Sequence, residues 1–510
     1  MYRFRNLGII LKISIFATGF AGIVAEFVLS TIATYLIGNA IFQWTIVMSL
    51  MLFAMGIGSR ITRFFRFRLL DIFILTELAL SVLCAISAQL AYILAAFTKY
   101  TNFAIYVQAI LEIPLVIRIN EKYEELRVNI ASVMEKDYFG ALFGGVVFAF
   151  FALPHLGLTY TPMLLGMINF IIASLLMWQF FHLIEKKGLL TGLFSFVFIF
   201  FVLLSVFAKP VIRYGEQRKY RDKIIYSKQT MYQKIVVTQW KNYYWLYING
   251  QEQFSTFDEE KYHEPLVHPA MKLSPYINNV LILGGGDGLA LREVLKYHEV
   301  KSVTLVDIDP VMTTLAKEHP VLLTINDGSM QSPKVKIINE DAAKFLDEDT
   351  SLYGVIIIDL PDPDTIDLMH VYSEMFYTAI RHHLIRGGVM VTQATSPYFS
   401  KKAFLCIMKT IGKAGYSVLP YHNQIPTLGE WGWVIGIKET DIKEKQIKEM
   451  LLKKDFTDIK TRYINKDAMI SMAHFGKGVI DKRALEKIEV NTELNPVLHR
   501  YYLSGSWGMY

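Results

Sequence analysis

The stretch VLILGGGDG, from Val280 to Gly288, decides the fold of this chain. A short apolar run passes into three glycines and an aspartate, which is typical of a buried strand that ends in a nucleotide-binding turn. A side chain at Gly284, Gly285 or Gly286 would hold a cofactor away from the backbone or forbid a positive φ angle. We therefore predict that these glycines bind a cofactor, with a purely structural turn as the alternative.

Strand-like runs alternate with helical stretches downstream of this turn. The runs VLIL, VTLV, VKII, VIII and VMVTQ begin at Val280, Val303, Val335, Val355 and Val389. The alternation predicts parallel strands joined by crossover helices in a doubly wound, Rossmann-like α/β sheet. Upstream, residues 223–257 alternate apolar and polar residues around Asn249-Gly250, which predicts a small antiparallel β-meander.

The first 208 residues differ in chemistry from the rest. The chain is 53% hydrophobic and 19% charged over 510 residues, which is too apolar for an ordinary soluble enzyme. We predict a multi-span α-helical membrane domain over 1–208, a β-meander lid over 209–275, the Rossmann-like domain over 276–440 and a helical extension over 441–510. The net charge of +6 does not indicate nucleic-acid binding, because the basic residues lie at loop ends or among acids.

Seven apolar segments are candidates for crossing a bilayer. They run from Ile9 to Tyr35, Ile41 to Gly58, Leu69 to Phe97, Phe103 to Val116, Tyr138 to Leu153, Pro162 to Leu183 and Leu189 to Ala208. Arginines at 60, 63, 66 and 68 place the loop after the second segment, and with it the N-terminus, in the cytoplasm. Seven crossings would then put Lys209 onward outside. We expect one short segment to be re-entrant, which keeps the soluble part cytoplasmic.

Three carboxylates, Glu26, Glu77 and Glu112, fall within the apolar segments. Ionisable groups in lipid are costly and are therefore candidates for function, here a path for a cation. The alternative is that they lie near the interface or cap neighbouring helices.

Acidic residues follow the strands at the edge where a doubly wound sheet binds its ligand. They are Asp287, Asp307, Asp309, Asp341, Asp359 and Asp362. Asp307 lies about 20 residues beyond the glycines, the distance of an acid that accepts hydrogen bonds from ribose. Asp309 precedes Pro310 and fits a helix N-cap. Asp341 either binds the cofactor or caps the next helix.

The segment DLPDP holds Asp359 and Asp362 rigidly at a strand end, because its prolines restrict the backbone. Such charge indicates a cationic substrate. An ammonium must lose a proton before its nitrogen can attack, so an amine-transfer site needs a carboxylate to bind the cation and accept the proton. An Asp-Pro turn without chemistry is the alternative. Tyr262 and His263 are expected to line the same cleft, and no metal is predicted, because no Cys and His residues have zinc-ligand spacing.

In combination, the motifs resemble the spermidine synthase family of polyamine aminopropyltransferases, in its bacterial membrane-bound long form. They are YQKIVV at Tyr232, DEEKYHE at Asp258, LGGGDGLALREVLKY at Leu283, LVDIDP at Leu305, NEDA at Asn339, DLPDP at Asp359, QATSPYFSKKAF at Gln393, GEWGW at Gly429 and NPVLHRYY at Asn495. The resemblance implies a methyltransferase-type sheet, no prosthetic group, and aminopropyl transfer from decarboxylated S-adenosylmethionine to putrescine. The products are spermidine and methylthioadenosine. It also implies a homodimer and a multi-pass protein of the cell (inner) membrane.

By position, the resemblance assigns roles to individual residues. At the nucleoside it implies Gln233, Asp307, Asp341 and Ala342. At the polyamine it implies Tyr262, His263 and Asp287, with Asp359 as proton acceptor and Asp362 beside it. The sequences DPDTID and Pro426-Thr427-Leu428-Gly429 depart from the family pattern, so agmatine, cadaverine or spermidine could replace putrescine. A membrane-anchored S-adenosylmethionine-dependent methyltransferase and a polyamine transporter or sensor are the alternative functions.

Overall fold

The computed structural model describes residues 2–37, 40–61, 68–97, 126–439 and 442–507. The chain divides into two compact units, Met1–Gln239 and Trp240–Tyr510. The apolar segment from Phe103 to Val116, and Glu112 within it, lie outside the described residues.

The first unit is helical in its described residues up to Lys219, as predicted. Its helices are α1 (Tyr2–Ile37), α2 (Ala40–Ile61), α3 (Leu69–Phe97), α4 (Leu126–Val147), a π-helical segment (Phe148–Leu156), α5 (Gly157–Phe180) and α6 (Lys187–Lys219). Within the described ranges, five stretches are long and apolar enough to cross a membrane: Lys12–Thr34, Leu70–Ile93, Met134–Leu156, Tyr160–Phe180 and Lys187–Phe207. The third was expected to be short, but the π-helical segment extends it to 23 residues. In α2 the apolar stretch Phe42–Ala54 is shorter.

Helices α3 and α6 run in the same direction. Near their N-terminal ends, Arg68 Nε lies 2.6 Å from Glu185 Oε2. In the same place, Asp71 accepts the backbone N–H groups of Glu185 and Lys186. At their far ends, Gly215 of α6 lies so close to Tyr92 of α3 that an added Cβ would meet the Tyr92 Cβ at 2.8 Å. The chain therefore leaves the helical unit at the end opposite to Arg68.

Four short strands follow, in two antiparallel pairs. They are β1 (Lys223–Gln229) with β2 (Lys234–Trp240) and β3 (Tyr243–Ile248) with β4 (Gln251–Ser255). Asn249 and Gly250 have φ angles of 51° and 84°. These positive values are those of a two-residue hairpin turn whose twist matches the strands. The predicted antiparallel strands and the Asn-Gly turn are confirmed.

The second unit contains a seven-stranded mixed sheet in the order β10-β11-β9-β8-β5-β6-β7. Its strands are β5 (Asn279–Gly284), β6 (Ser302–Val306), β7 (Val335–Ile338), β8 (Tyr353–Asp359), β9 (Leu384–Gln393), β10 (Ser417–Ile425) and β11 (Gly429–Ile437). Strands β5 to β9 are parallel and correspond to the five predicted runs. The doubly wound sheet is therefore confirmed.

Strands β10 and β11 were not predicted. They form an antiparallel hairpin that extends the sheet beyond β9. Glycines weaken the strand pattern of β11, but Gly432 is required by packing, because an added Cβ would lie 2.5 Å from the ring of Phe404. Pro420 interrupts the pattern of β10. Proline is tolerated there because β10 is an edge strand, where one row of N–H groups has no ladder partner.

Helices cover both faces of the sheet and bury its alternating side chains. They are α7 (Glu260–Leu273), α8 (Leu289–Val294), α9 (Pro310–Glu318), α10 (Pro320–Ile325), α11 (Ala342–Glu348), α12 (Glu374–His383), α13 (Lys401–Lys413), α14 (Glu444–Leu452), α15 (Lys466–Met472), α16 (Lys482–Lys487) and α17 (Val497–Leu503). Val280 and Ile282 of β5 pack into one core with α7 and α8. Leu281 and Leu283 pack into the other with residues of α12 and α13. This alternation holds the end of β5 rigidly in place.

Candidate functional site

The strand order reverses between β5 and β8, so that the crevice between their carboxyl ends is the expected ligand site. Gly284 at the end of β5 is in register with Asp359 at the end of β8. The glycine turn and the DLPDP segment therefore lie side by side, as their positions after the strands predicted.

The glycine turn is shaped by the acids beside it. Gly284 has a φ of +82°, and an added Cβ would lie 2.1 Å from the carbonyl oxygen of Asp359. A Cβ on Gly286 would lie 2.4 Å from Asp307 Oδ2, which accepts the Gly286 N–H at 3.1 Å. We expected these glycines to leave room for a cofactor. The structure shows that they also bring the turn into contact with two acidic segments.

Asp307 is held by the backbone on both of its oxygens. Oδ2 accepts from Gly286, and Oδ1 accepts the N–H of Asp309 at 2.8 Å. Burial raises the pKa of Asp307 to about 6. Asp309 itself is the N-cap of α9 and accepts from Val311, with Pro310 in the first helical position, as predicted.

Asp341 caps α11. Its Oδ1 accepts the N–H groups of Ala343 and Lys344 at 2.9 and 3.0 Å, while Oδ2 lies 3.5 Å from His370 Nε2. Ala342 is the buried first residue of this helix. The capping alternative therefore describes Oδ1 of Asp341, whereas Oδ2 faces His370. Gln233 belongs to the first unit, where its carbonyl accepts from Thr230 just before β2.

Asp359 belongs to the acidic edge, the group of strand-end carboxylates that also includes Asp287 and Asp362. Tyr262 donates its hydroxyl proton to Asp359 Oδ1 at 2.9 Å. Burial raises the pKa of Asp359 to about 6 and nearby Asp287 adds to this, whereas His263 and Tyr262 act in the opposite direction. Asp287 follows the glycines and accepts the Leu289 N–H at 2.8 Å. Its pKa is also raised by burial and lowered by His263.

His263 is fixed by a buried charge network. Its Nδ1 lies 3.1 Å from Glu259 Oε2, and that carboxylate also accepts from Arg292 and Arg462. Burial alone would lower the pKa of His263. The charges of Glu259, Asp287 and Asp359 outweigh burial and raise this pKa to about 8. This raised pKa favours the cationic form of the imidazole at neutral pH. Its Nε2 is the nitrogen that Glu259 does not use.

Asp362 is bound by residues that the sequence analysis did not assign. Tyr502 donates to Asp362 Oδ2 at 2.9 Å, and Thr395 Oγ1 lies 3.4 Å from the same oxygen. Burial raises the pKa of Asp362 to about 7, and Asp364 contributes to the rise. Thr395 has a φ of +57°, a strained conformation of the kind that occurs at functional sites.

The GEWGW motif packs its tryptophans against Tyr262. The ring centroid of Trp433 lies 5.6 Å from that of Tyr262, and Trp431 lies 6.4 Å away. These contacts hold the hydroxyl that binds Asp359. Within the described ranges, no group of three or more His, Cys, Asp or Glu residues is placed to hold a metal ion.

The sheet and its acidic edge define a doubly wound α/β protein with a nucleotide-type turn facing paired carboxylates. The sequence profile of the spermine/spermidine synthase domain matches residues 259–449. Polyamine aminopropyltransferase 2 of Aquifex aeolicus is 42% identical over 502 residues, which cover 96% of this chain and 98% of the relative. A polyamine aminopropyltransferase of Leptospira interrogans is 35% identical over 501 residues, 96% of this chain and 97% of its own.

A solved structure of spermidine synthase from Thermotoga maritima is 26% identical, with a TM-score of 0.45, and covers 52% of this chain and 87% of its own. The full-length relatives establish that this chain belongs to the polyamine aminopropyltransferase family. Its enzyme class is that of polyamine aminopropyltransferases, as the resemblance implied.

Proposed function

We propose that the chain transfers an aminopropyl group from decarboxylated S-adenosylmethionine to putrescine, giving spermidine and methylthioadenosine. The observation that carries the proposal is the acidic edge, where Asp287 and Asp359 interact beside the glycine turn and Asp362 follows three positions later in the same segment. His263 offsets part of the repulsion between these buried carboxylates, and a bound cation would offset more of it. A sulfonium donor without a carboxylate and a diamine acceptor are both cations.

The donor is selected by charge. Intact S-adenosylmethionine carries a carboxylate, which the acids of this edge would repel, whereas the decarboxylated donor lacks that group. For the nucleoside, each oxygen of Asp307 already accepts one backbone N–H. A carboxylate oxygen has a second lone pair, so Asp307 retains the capacity to accept from ribose hydroxyls. No separate cofactor enters this scheme.

The acceptor amine is activated by Asp359. The ammonium gives a proton to this carboxylate, and the nitrogen lone pair then attacks the aminopropyl carbon bound to sulfur. The carbon–sulfur bond breaks with its electron pair on sulfur, so the sulfonium becomes a neutral thioether. Burial raises the pKa of Asp359 to about 6, which makes it a stronger proton acceptor. Tyr262 orients one oxygen, and Asp362 binds the substrate's positive charge.

The test is a transfer assay on the full-length protein in detergent, with product masses measured by mass spectrometry. Decarboxylated S-adenosylmethionine is combined separately with putrescine, cadaverine, agmatine and spermidine. We expect the highest kcat/KM with putrescine. Preference for another amine would replace putrescine as the acceptor, whereas methyl transfer from the intact donor would refute aminopropyl transfer itself.

We infer that the helical unit is a multi-pass anchor in the cell membrane and that the α/β unit is cytoplasmic, where the donor is made. Because the chain leaves the helices at the end opposite to Arg68, a cytoplasmic α/β unit places Arg68 outside, against the usual distribution of basic loops.

Reporter fusions test this orientation. An alkaline phosphatase that is active only outside the cytoplasm is fused after Tyr510 or inserted at Lys186. We expect activity at Lys186 and none at Tyr510. The reverse pattern would place the α/β unit outside and overturn the proposed location without affecting the proposed reaction.

A further inference from the structure

The last helix brings a side chain to the DLPDP segment from far along the chain. Tyr502 in α17 donates to Asp362 Oδ2 at 2.9 Å across a separation of 140 residues. Its position lies beyond residues 259–449, which the family profile matches. The other near hydroxyl, that of Thr395, is 3.4 Å away. Tyr502 therefore makes the shorter of the two hydroxyl contacts with this carboxylate.

A third hydroxyl nearby is already used. Tyr372 donates to the carbonyl of Pro361 at 2.8 Å and accepts from Gln393 Nε2 at 2.6 Å. A hydroxyl has one proton to donate. Tyr372 thus supports the backbone of the segment, and Tyr502 supplies the proton to the carboxylate.

The segment that carries Tyr502 is anchored independently of its hydroxyl. Trp507 Nε1 donates to the Tyr502 carbonyl at 2.9 Å, and the two ring centroids are 4.8 Å apart. The N–H of Ser506 donates to the Phe399 carbonyl at 2.8 Å. Phenylalanine at position 502 would retain all of these contacts.

We propose that Tyr502 is a positioning residue that fixes the Asp362 carboxylate for the cationic acceptor. This inference rests on the proposed function of the acidic edge. It gives a part in amine recognition to the C-terminal extension, whose NPVLHRYY motif ends at Tyr502 but to which the resemblance assigned no role.

The electrostatic surroundings of Asp362 make its ionisation depend on the hydrogen bond from Tyr502. Burial and the charge of Asp364 raise the pKa of Asp362 to about 7, whereas Tyr502, Gln393 and Thr395 lower it. The hydroxyls of Tyr262 and Tyr372 also face this carboxylate. A donated hydrogen bond stabilises the ionised form. Its loss therefore raises the pKa of Asp362 further and increases the fraction of neutral acid at pH 7, which binds an ammonium poorly.

The experiment compares Tyr502→Phe with Tyr501→Phe in the full-length enzyme. Tyr501 is the matched control, because within the described residues its hydroxyl contacts only Glu489, at the surface. We expect Tyr502→Phe to move the acid limb of kcat/KM up by about one pH unit and, because the ionised fraction of Asp362 falls accordingly, to raise the KM for putrescine about fivefold at pH 7. The Kd for the decarboxylated donor should stay within about twofold, since the donor site is untouched.

A double-mutant cycle separates positioning from a general loss of structure. If Tyr502 acts through Asp362, then Tyr502→Phe has no further effect on KM in an Asp362→Asn background. An active wild type with identical pH profiles for the two tyrosine variants would overturn this inference alone. So would a fall in melting temperature and donor affinity with an unshifted acid limb. A wild type without transfer activity would instead overturn the proposed function and this inference with it.

Discussion

Buried carboxylates have different surroundings in the two units. In the α/β unit, Asp359 and Asp287 lie close enough that each acid is affected by His263. In the helical unit, Glu77 is fully buried, and among its described neighbours only Thr18 donates to it, at 3.0 Å, while Oε2 has no partner. Converging acids require a cation to offset their repulsion, whereas a single buried acid can remain neutral. The comparison assigns the chemistry to the α/β unit and agrees with the proposal that the helical unit is an anchor.

The largest effect is expected from Asp359→Asn, which removes the proposed proton acceptor. The amide keeps the contact with Tyr262 but cannot accept a proton, so kcat should fall by about a thousandfold. Donor affinity should be nearly unchanged. Turnover and donor binding are measured separately, with exposed Asp367→Asn as the control. Wild-type turnover in Asp359→Asn would exclude this residue as the acceptor.

A smaller effect is expected from Gly286→Ala, which alters the glycine turn where the donor is proposed to bind. The new methyl group would meet Asp307 Oδ2 at 2.4 Å, and that oxygen is held by a backbone hydrogen bond. Donor Kd should rise about tenfold or more, because the turn and the acid must separate. Gly412→Ala is the matched control, since nothing lies within 4 Å of its added Cβ. Equal donor affinity in both variants would remove the turn from the binding site.

The pH dependence follows from the raised pKa values. Burial raises the pKa of Asp359 to about 6 and of Asp362 to about 7, and both must be ionised to accept a proton or bind an ammonium. Activity should therefore be full above pH 8 and fall as the pH decreases through 7 to 6, by about tenfold per pH unit or more below that. A kcat/KM profile for putrescine that is flat from pH 8 to 5 would contradict the ionisation of these acids.

The smallest effect is expected from Glu77→Gln in the helical unit. Glutamine has nearly the same shape and can still accept from Thr18, so a neutral side chain is tolerated. Transfer activity and cellular polyamine uptake should both match the wild type. A selective loss of uptake would give Glu77 the cation-path role that the sequence suggested and would end the description of this unit as an anchor.

Much of the fold and part of the site could be predicted from the sequence. The alternation of apolar runs gave strands β5 to β9, and the rule that ligands bind at strand ends singled out Asp287 and Asp359. Strands β10 and β11 were not predicted, because the glycines of β11 and Pro420 of β10 weaken the apolar strand pattern. Packing requires Gly432, and the edge position of β10 tolerates Pro420. Tyr502 could not be assigned, since no spacing rule connects residues 140 positions apart and only the folded chain brings them together.

The central claim is that the acidic edge selects a donor without a carboxylate, and donor binding tests it most directly. The Kd values for decarboxylated and intact S-adenosylmethionine are measured by titration calorimetry on the wild type and on Asp287→Asn. The wild type should bind the decarboxylated donor about a hundredfold more tightly, because like charges at close range cost several kcal/mol, and Asp287→Asn should reduce this ratio about tenfold. Equal affinity of the wild type for both donors would contradict the account.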